Sequence, residues 1–106
     1  MISDTEVEKA LDFMRDNATK AAISRAERAY VEEYRKVLKA QIMREHPADA
    51  IGTQEAKAYS DPRYIQHLKA IRDAVHADEH MRFILAAADA KINAWQTQSA
   101  NNRKGI

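Results

Sequence analysis

The sequence predicts an all-α fold: two long helices in an antiparallel hairpin, joined by a loop with a short helix, assembling into a helical bundle. Three observations predict it. Only two glycines and two prolines occur in 106 residues, and three of these four fall between Pro47 and Pro62. Charged residues make up 31% of the chain, with both signs interleaved and alanine abundant, which is the composition of a long-helix protein. Finally, start and stop signals bracket two stretches of about forty residues, Ser3–Glu45 and Asp61–Asn102.

The first helix is expected over about residues 4–45. Ser3-Asp4-Thr5-Glu6 is a capping-box pattern, in which the Ser3 hydroxyl accepts from a backbone N–H and Glu6 reaches back to the Ser3 N–H. Asp4, Glu6 and Glu8 suit the positive end of the helix dipole, and Arg35, Lys36, Lys39 and Arg44 suit the negative end. The stop is His46-Pro47, because the residue before proline is driven out of the helical region. Asp12/Arg15, Asp16/Lys20 and Glu32/Lys36 are spaced for surface pairs.

The apolar residues of this helix form two stripes. Val7, Leu11, Met14, Ala18 and Ala21 share one side; Tyr30, Tyr34, Val37, Leu38 and Ile42 share another. At 100° per residue the stripes are offset by roughly a third to half a turn, which a strict heptad seam does not produce. The reading is a bend near Ala22–Ser24, or two halves buried against different neighbours.

Residues 46–60 read as a loop with a short helix capped by Thr53 and running to Tyr59. The second long helix is expected over about 62–101, with Asp61 as N-cap and Pro62 at the first helical position. Tyr64, Ile65, Leu68, Ile71 and Val75 form its first stripe, and Met81, Ile84, Leu85, Ala88, Ile92 and Trp95 its second. The offset recurs at His76–His80. In an antiparallel hairpin, Trp95 then sits near Val7 and Leu11, while Tyr64 and Leu68 sit near Leu38 and Ile42. One neighbour per helix does not cover two stripes. A single domain over 1–106 that forms a homodimer or higher oligomer is therefore expected, with Tyr30, Tyr34, Leu38, Ile42, Tyr64, Leu68 and Trp95 as candidate interface residues; the alternative is a monomer in which the short middle helix folds back and covers the second stripe.

The formal charge is +1 and cysteine is absent, so disulfides, thiolate metal sites and cysteine nucleophiles are excluded. No apolar run approaches membrane-spanning length, and the first residues lack the pattern of a secretory signal; a cytoplasmic location and no membrane partner are expected. Phosphate-binding glycine loops and Ser/His/Asp arrangements are missing. No catalytic residue, no cofactor and no enzymatic activity are expected.

Two patterns carry chemistry of other kinds. His76, Glu79 and His80 have the spacing of an inverted zinc-protease signature, but a third ligand from a distant segment is missing. A solvated polar face is the competing interpretation and the one adopted. Arg25, Arg28, Arg35, Lys36, Lys39 and Arg44, with Arg103 and Lys104, make a candidate nucleic-acid contact, so DNA is a possible partner. Glu27, Glu32, Glu33 and Glu45 interrupt that stripe, and a mixed solvated face accounts for it equally simply.

Several stretches resemble small helical proteins encoded by bacteriophages and prophages. They are Ala26–Lys36, Gln54–Tyr59 with Asp61–Tyr64, and Ala90–Arg103. The resemblance is one of sequence texture over nearly the whole chain and supplies no catalytic residue. It implies a protein of a phage early region, with an accessory or adaptor role in DNA recombination or replication and a protein partner.

Overall fold

The computed structural model describes residues 1–105. It contains three helices: α1 (Asp4–Arg44), α2 (Ile51–Ser60) and α3 (Pro62–Lys104). No strand occurs among the described residues. The predicted boundaries hold within a few residues, because the local signals are made as read. The Ser3 N–H donates to Glu6 Oε2 at 3.0 Å, and the Glu6 N–H donates to Ser3 Oγ at 3.2 Å, completing the capping box. The Arg63 N–H donates to Asp61 Oδ1 at 2.8 Å, which caps α3 ahead of Pro62.

The middle segment departs from expectation. Thr53 and Gly52 lie inside α2, whose N-cap is Ala50 and has no side-chain cap bond. Gln54 supplies polar partners there instead: its Nε2 donates to the carbonyls of His46 at 2.9 Å and Asp49 at 3.0 Å. The loop is thus tied to the helix by an amide side chain, which sequence capping rules do not anticipate.

The tertiary contacts group into two compact units. Unit one comprises residues 1–23 and 79–106, and unit two residues 24–78. In unit one, Val7, Ala10 and Met81 are buried. Trp95 Nε1 donates to Asp4 Oδ1 at 2.9 Å, and the Ile2 N–H donates to Gln98 Oε1 at 3.1 Å. Trp95 therefore reaches the first residue of α1 through a polar bond.

In unit two the core is Ile42, Ala58 and Tyr64, with Leu38 and Met43 packed on it. Ile42 and Ala58 have no exposed surface. Ala58 is the small residue that lets α2 approach this core. The Tyr59 and Tyr64 rings meet edge to face at 5.3 Å. Leu68, expected in the same contact, is instead 42% exposed.

The expected switch of apolar face is not what the helices bury. On α1 the less exposed positions include 7, 10, 14, 17, 21, 24, 28, 31, 34, 38 and 42. On α3 they include 64, 67, 71, 74, 78, 81, 85, 88, 92 and 95. Each series alternates steps of three and four with almost no break, which is a seam. The sequence misleads because the seam takes in Asn17, Ser24, Arg28, His67 and Asp78, whereas Leu11, Ile23, Tyr30, Val37 and Ile65 remain 45–65% exposed. Choosing a face by hydrophobicity alone selects the wrong residues at these turns.

Arg63 ties the two ends of unit two's long segments. Its guanidinium donates to Glu45 at 2.8 and 2.9 Å and to Asp61 at 3.0 Å. These bonds hold the Glu45 and Asp61 carboxyls below their ordinary range, and the same partners raise Arg63. A lowered carboxyl adds stability that is complete above its unfolded value and is lost as pH falls through its folded value. Arg63→Ala is therefore expected to lower Tm at neutral pH, with the gap to the parent closing as both are acidified below the carboxylate range. Thermal melts at a series of pH values check this; a gap that stays constant into acid contradicts it.

Candidate interaction surface

Two kinds of residue sit on the helices of unit two: a polar group inside the seam and an apolar stripe outside it. The inner group centres on Asp78, only 5% exposed. Arg28 Nη1 donates to Asp78 Oδ2 at 3.2 Å, and Arg28 Nε donates to Glu32 at 3.0 Å. Nearby along the seam, His67 Nε2 lies 2.6 Å from the Val31 carbonyl oxygen, and the His67 ring is 5.5 Å from that of Tyr34. An α1 backbone carbonyl inside a helix already accepts from its own turn, so His67 uses its second lone pair. A charged pair at two positions of the seam sets which residues can face one another, since a slip separates the two charges.

The outer stripe lies on α1. Tyr30 is 65% exposed and Val37 48%, and Ala26 and Ala40 are also exposed. Glu33 completes a series at 26, 30, 33, 37 and 40, again in steps of three and four. The Tyr30 ring stacks on Tyr34 with centroids 6.0 Å apart and planes 15° apart, which holds it in place on the outer face. A second seam-like stripe on the solvent side of a helix has the pattern of a partner surface.

Unit one has its own hollow, an open groove of about 310 Å³. Phe13, Ile84 and Ala87 line it together with Glu6, Lys9 and Lys91. Beside it in sequence, Trp95, Gln96, Ser99, Asn102 and Arg103 line another shallow hollow.

The structure separates the interface candidates. Ile42 and Tyr64 are buried in unit two's own core, so they are not available to a second molecule. Tyr34, Leu38 and Trp95 are half-buried, and only Tyr30 and Leu68 are open. Val37, Ala26 and Glu33 belong with Tyr30 and were absent from the candidate interface. Their seven-residue spacing was the signal that could have found them.

The basic candidates are likewise divided. Arg28 is tied to Asp78, Lys36 Nζ lies 3.3 Å from Glu33, and Lys39 Nζ lies 3.2 Å from Glu55 and 4.8 Å from the Tyr59 ring centroid. Arg25, Arg35, Arg44, Arg103 and Lys104 are exposed. Of the histidine pattern, His76 belongs to unit two, whereas Glu79 and His80 belong to unit one. Glu79 accepts from Arg82 at 3.0 Å. Among the described residues no group of three or more His, Cys, Asp or Glu side chains is placed to hold a metal ion, and no helix is long and apolar enough to cross a membrane.

Comparison with protein-family models, with curated proteins and with solved structures gives no match.

Proposed function

We propose that this chain is a non-enzymatic helical interaction module that self-associates, in which α1 and α3 form an antiparallel hairpin and hairpins assemble into a bundle. The observation that carries the reading is the outer stripe of α1, with Tyr30 and Val37 open to solvent at a seam-like spacing. The pairings within each unit support the hairpin: in unit two, Glu45 meets Arg63, Val31 meets His67 and Arg28 meets Asp78, so partner numbers rise on α3 as they fall on α1. In unit one, Asp4 meets Trp95.

The cellular setting proposed is the cytoplasm of a phage-infected host, in an accessory role to DNA recombination or replication through a protein partner. The resemblance of Ala26–Lys36 and Ala90–Arg103 to phage-encoded helical proteins supports that part. A second reading, direct DNA binding, draws on Arg25, Arg35 and Arg44, which are exposed and have no ion pair among the described residues. The near-balance of charge and the acidic partners of Arg28, Lys36 and Lys39 favour the first reading.

Light scattering after size exclusion, at low salt with and without a short single-stranded DNA, tests both. The expected result is a particle of at least two chains whose mass ignores DNA. A monomer at every concentration contradicts the module. Mass gained with DNA and lost as salt rises promotes the second reading, because phosphate contacts release counterions.

A further inference from the structure

The reading of the chain as a self-associating module leaves open which face meets which. We infer that the outer face of α1 takes a second copy of this chain, its α1 laid antiparallel so that Val37 faces Ala26 and Tyr30 faces Glu33.

Size and charge select this register. Antiparallel seams pair a residue of one kind of position with a residue of the other. Ala26 and Glu33 occupy one kind; Tyr30 and Val37 occupy the other. The chosen alignment sets every large side chain against a smaller or flexible one: Val37 fills the space over Ala26, and by the two-fold symmetry Ala26 receives Val37 in return. At the centre, the Tyr30 hydroxyl donates to the Glu33 carboxylate of the second copy, twice over. Lys36, 3.3 Å from Glu33, stays beside that carboxylate and balances its charge.

A parallel pairing fails on the same residues. It sets Glu33 against Glu33 and Tyr30 against Tyr30, which puts like charges face to face at the centre and leaves gaps at Ala26 and Ala40. Shifting the antiparallel register by one heptad sets Tyr30 against Ala26, takes Glu33 out of the pairing and shortens the overlap. The exposed alanines allow the close backbone approach that the large-on-small pairing requires. The arrangement is isologous: the same patch serves both copies, so the assembly closes at two chains.

The chain has no cysteine, so single cysteines report the register without background. The variants Ala26→Cys and Val37→Cys alter exposed positions and are checked for helix content by circular dichroism. Each is oxidised alone and after mixing with the other for subunit exchange, and the products are separated without reductant. The inferred register gives a linked dimer from the mixture at least ten-fold more abundant than from either variant alone. Linking of each variant by itself means a parallel pairing and overturns it. A dimer by light scattering that links in neither case places the contact on another face, which overturns this inference and leaves the module reading standing. A monomer by light scattering removes both.

Discussion

Ile42→Ala is expected to lower stability by about 2–5 kcal/mol, the range for truncating a fully buried isoleucine. Ile42 has no exposed surface and is the largest side chain buried to that extent among the described residues. It packs with Ala58 and Tyr64, and Leu38 and Met43 close over it. The cavity left by the substitution lies between three elements, so no single side chain can relax into it. Domains of this size have a total stability of roughly 5–15 kcal/mol, and the loss is a large share of it. In urea the midpoint falls while the slope holds, and Tm drops by roughly 15 °C. Parent and variant are compared at one protein concentration, since association adds to apparent stability. A midpoint within error of the parent contradicts the placing of the core at Ile42.

Asp78→Ala is expected to cost about 2–4 kcal/mol, slightly below the range for breaking a fully buried pair because Arg28 is partly open to solvent. The Asp78 side chain is 7% exposed and that of Arg28 28%. Removing the carboxylate takes one of the acidic partners from a half-buried guanidinium, which keeps Glu32. Removing both charges has a different outcome. Arg28→Leu/Asp78→Leu is expected to be as stable as the parent or more so, because neither side chain then needs desolvating as an ion. Urea titration of the parent, the single variant and the double variant checks this. A double variant less stable than Asp78→Ala contradicts the account of the pair as a register device with little net contribution to stability.

Helix limits were legible in the sequence to within a few residues because they depend on short-range chemistry. Ser3 with Glu6, and Asp61 before Pro62, act on backbone groups one turn away, and nothing distant competes with them. The α2 start was misplaced at Thr53 because Gln54 reaches back to His46 and Asp49, a contact that depends on how the loop folds. The buried face was misread for a related reason. Hydrophobicity placed Leu11, Tyr30, Val37, Ile65 and Leu68 inside, and all five are at least 42% exposed. The true seam admits Asp78 because Arg28 lies opposite, and pairing across helices is invisible to a one-dimensional pattern.

The same misreading holds the candidate surface. Large apolar residues that fit no inner stripe suggested two faces per helix, and the structure places them outside, at the spacing of a second seam. Ile42 and Tyr64 were candidate interface residues because they belong to the apolar stripes; their burial with Ala58 assigns them to the core. Val37 was legible as apolar but not as outward-facing, because only the burial of Leu38 and Ile42 fixes which side of α1 turns in.

The most direct measurement is sedimentation equilibrium of the parent chain and of Tyr30→Glu over a hundred-fold range of concentration. The account predicts a parent of twice 12.1 kDa that dissociates only at the dilute end. It predicts that Tyr30→Glu, which sets a second carboxylate against Glu33, is a folded monomer across the range, and that adding Glu33→Lys to it restores the dimer. A parent that is monomeric throughout, or a Tyr30→Glu chain that associates as tightly as the parent, contradicts the central claim that the outer face of α1 is the surface on which this protein acts.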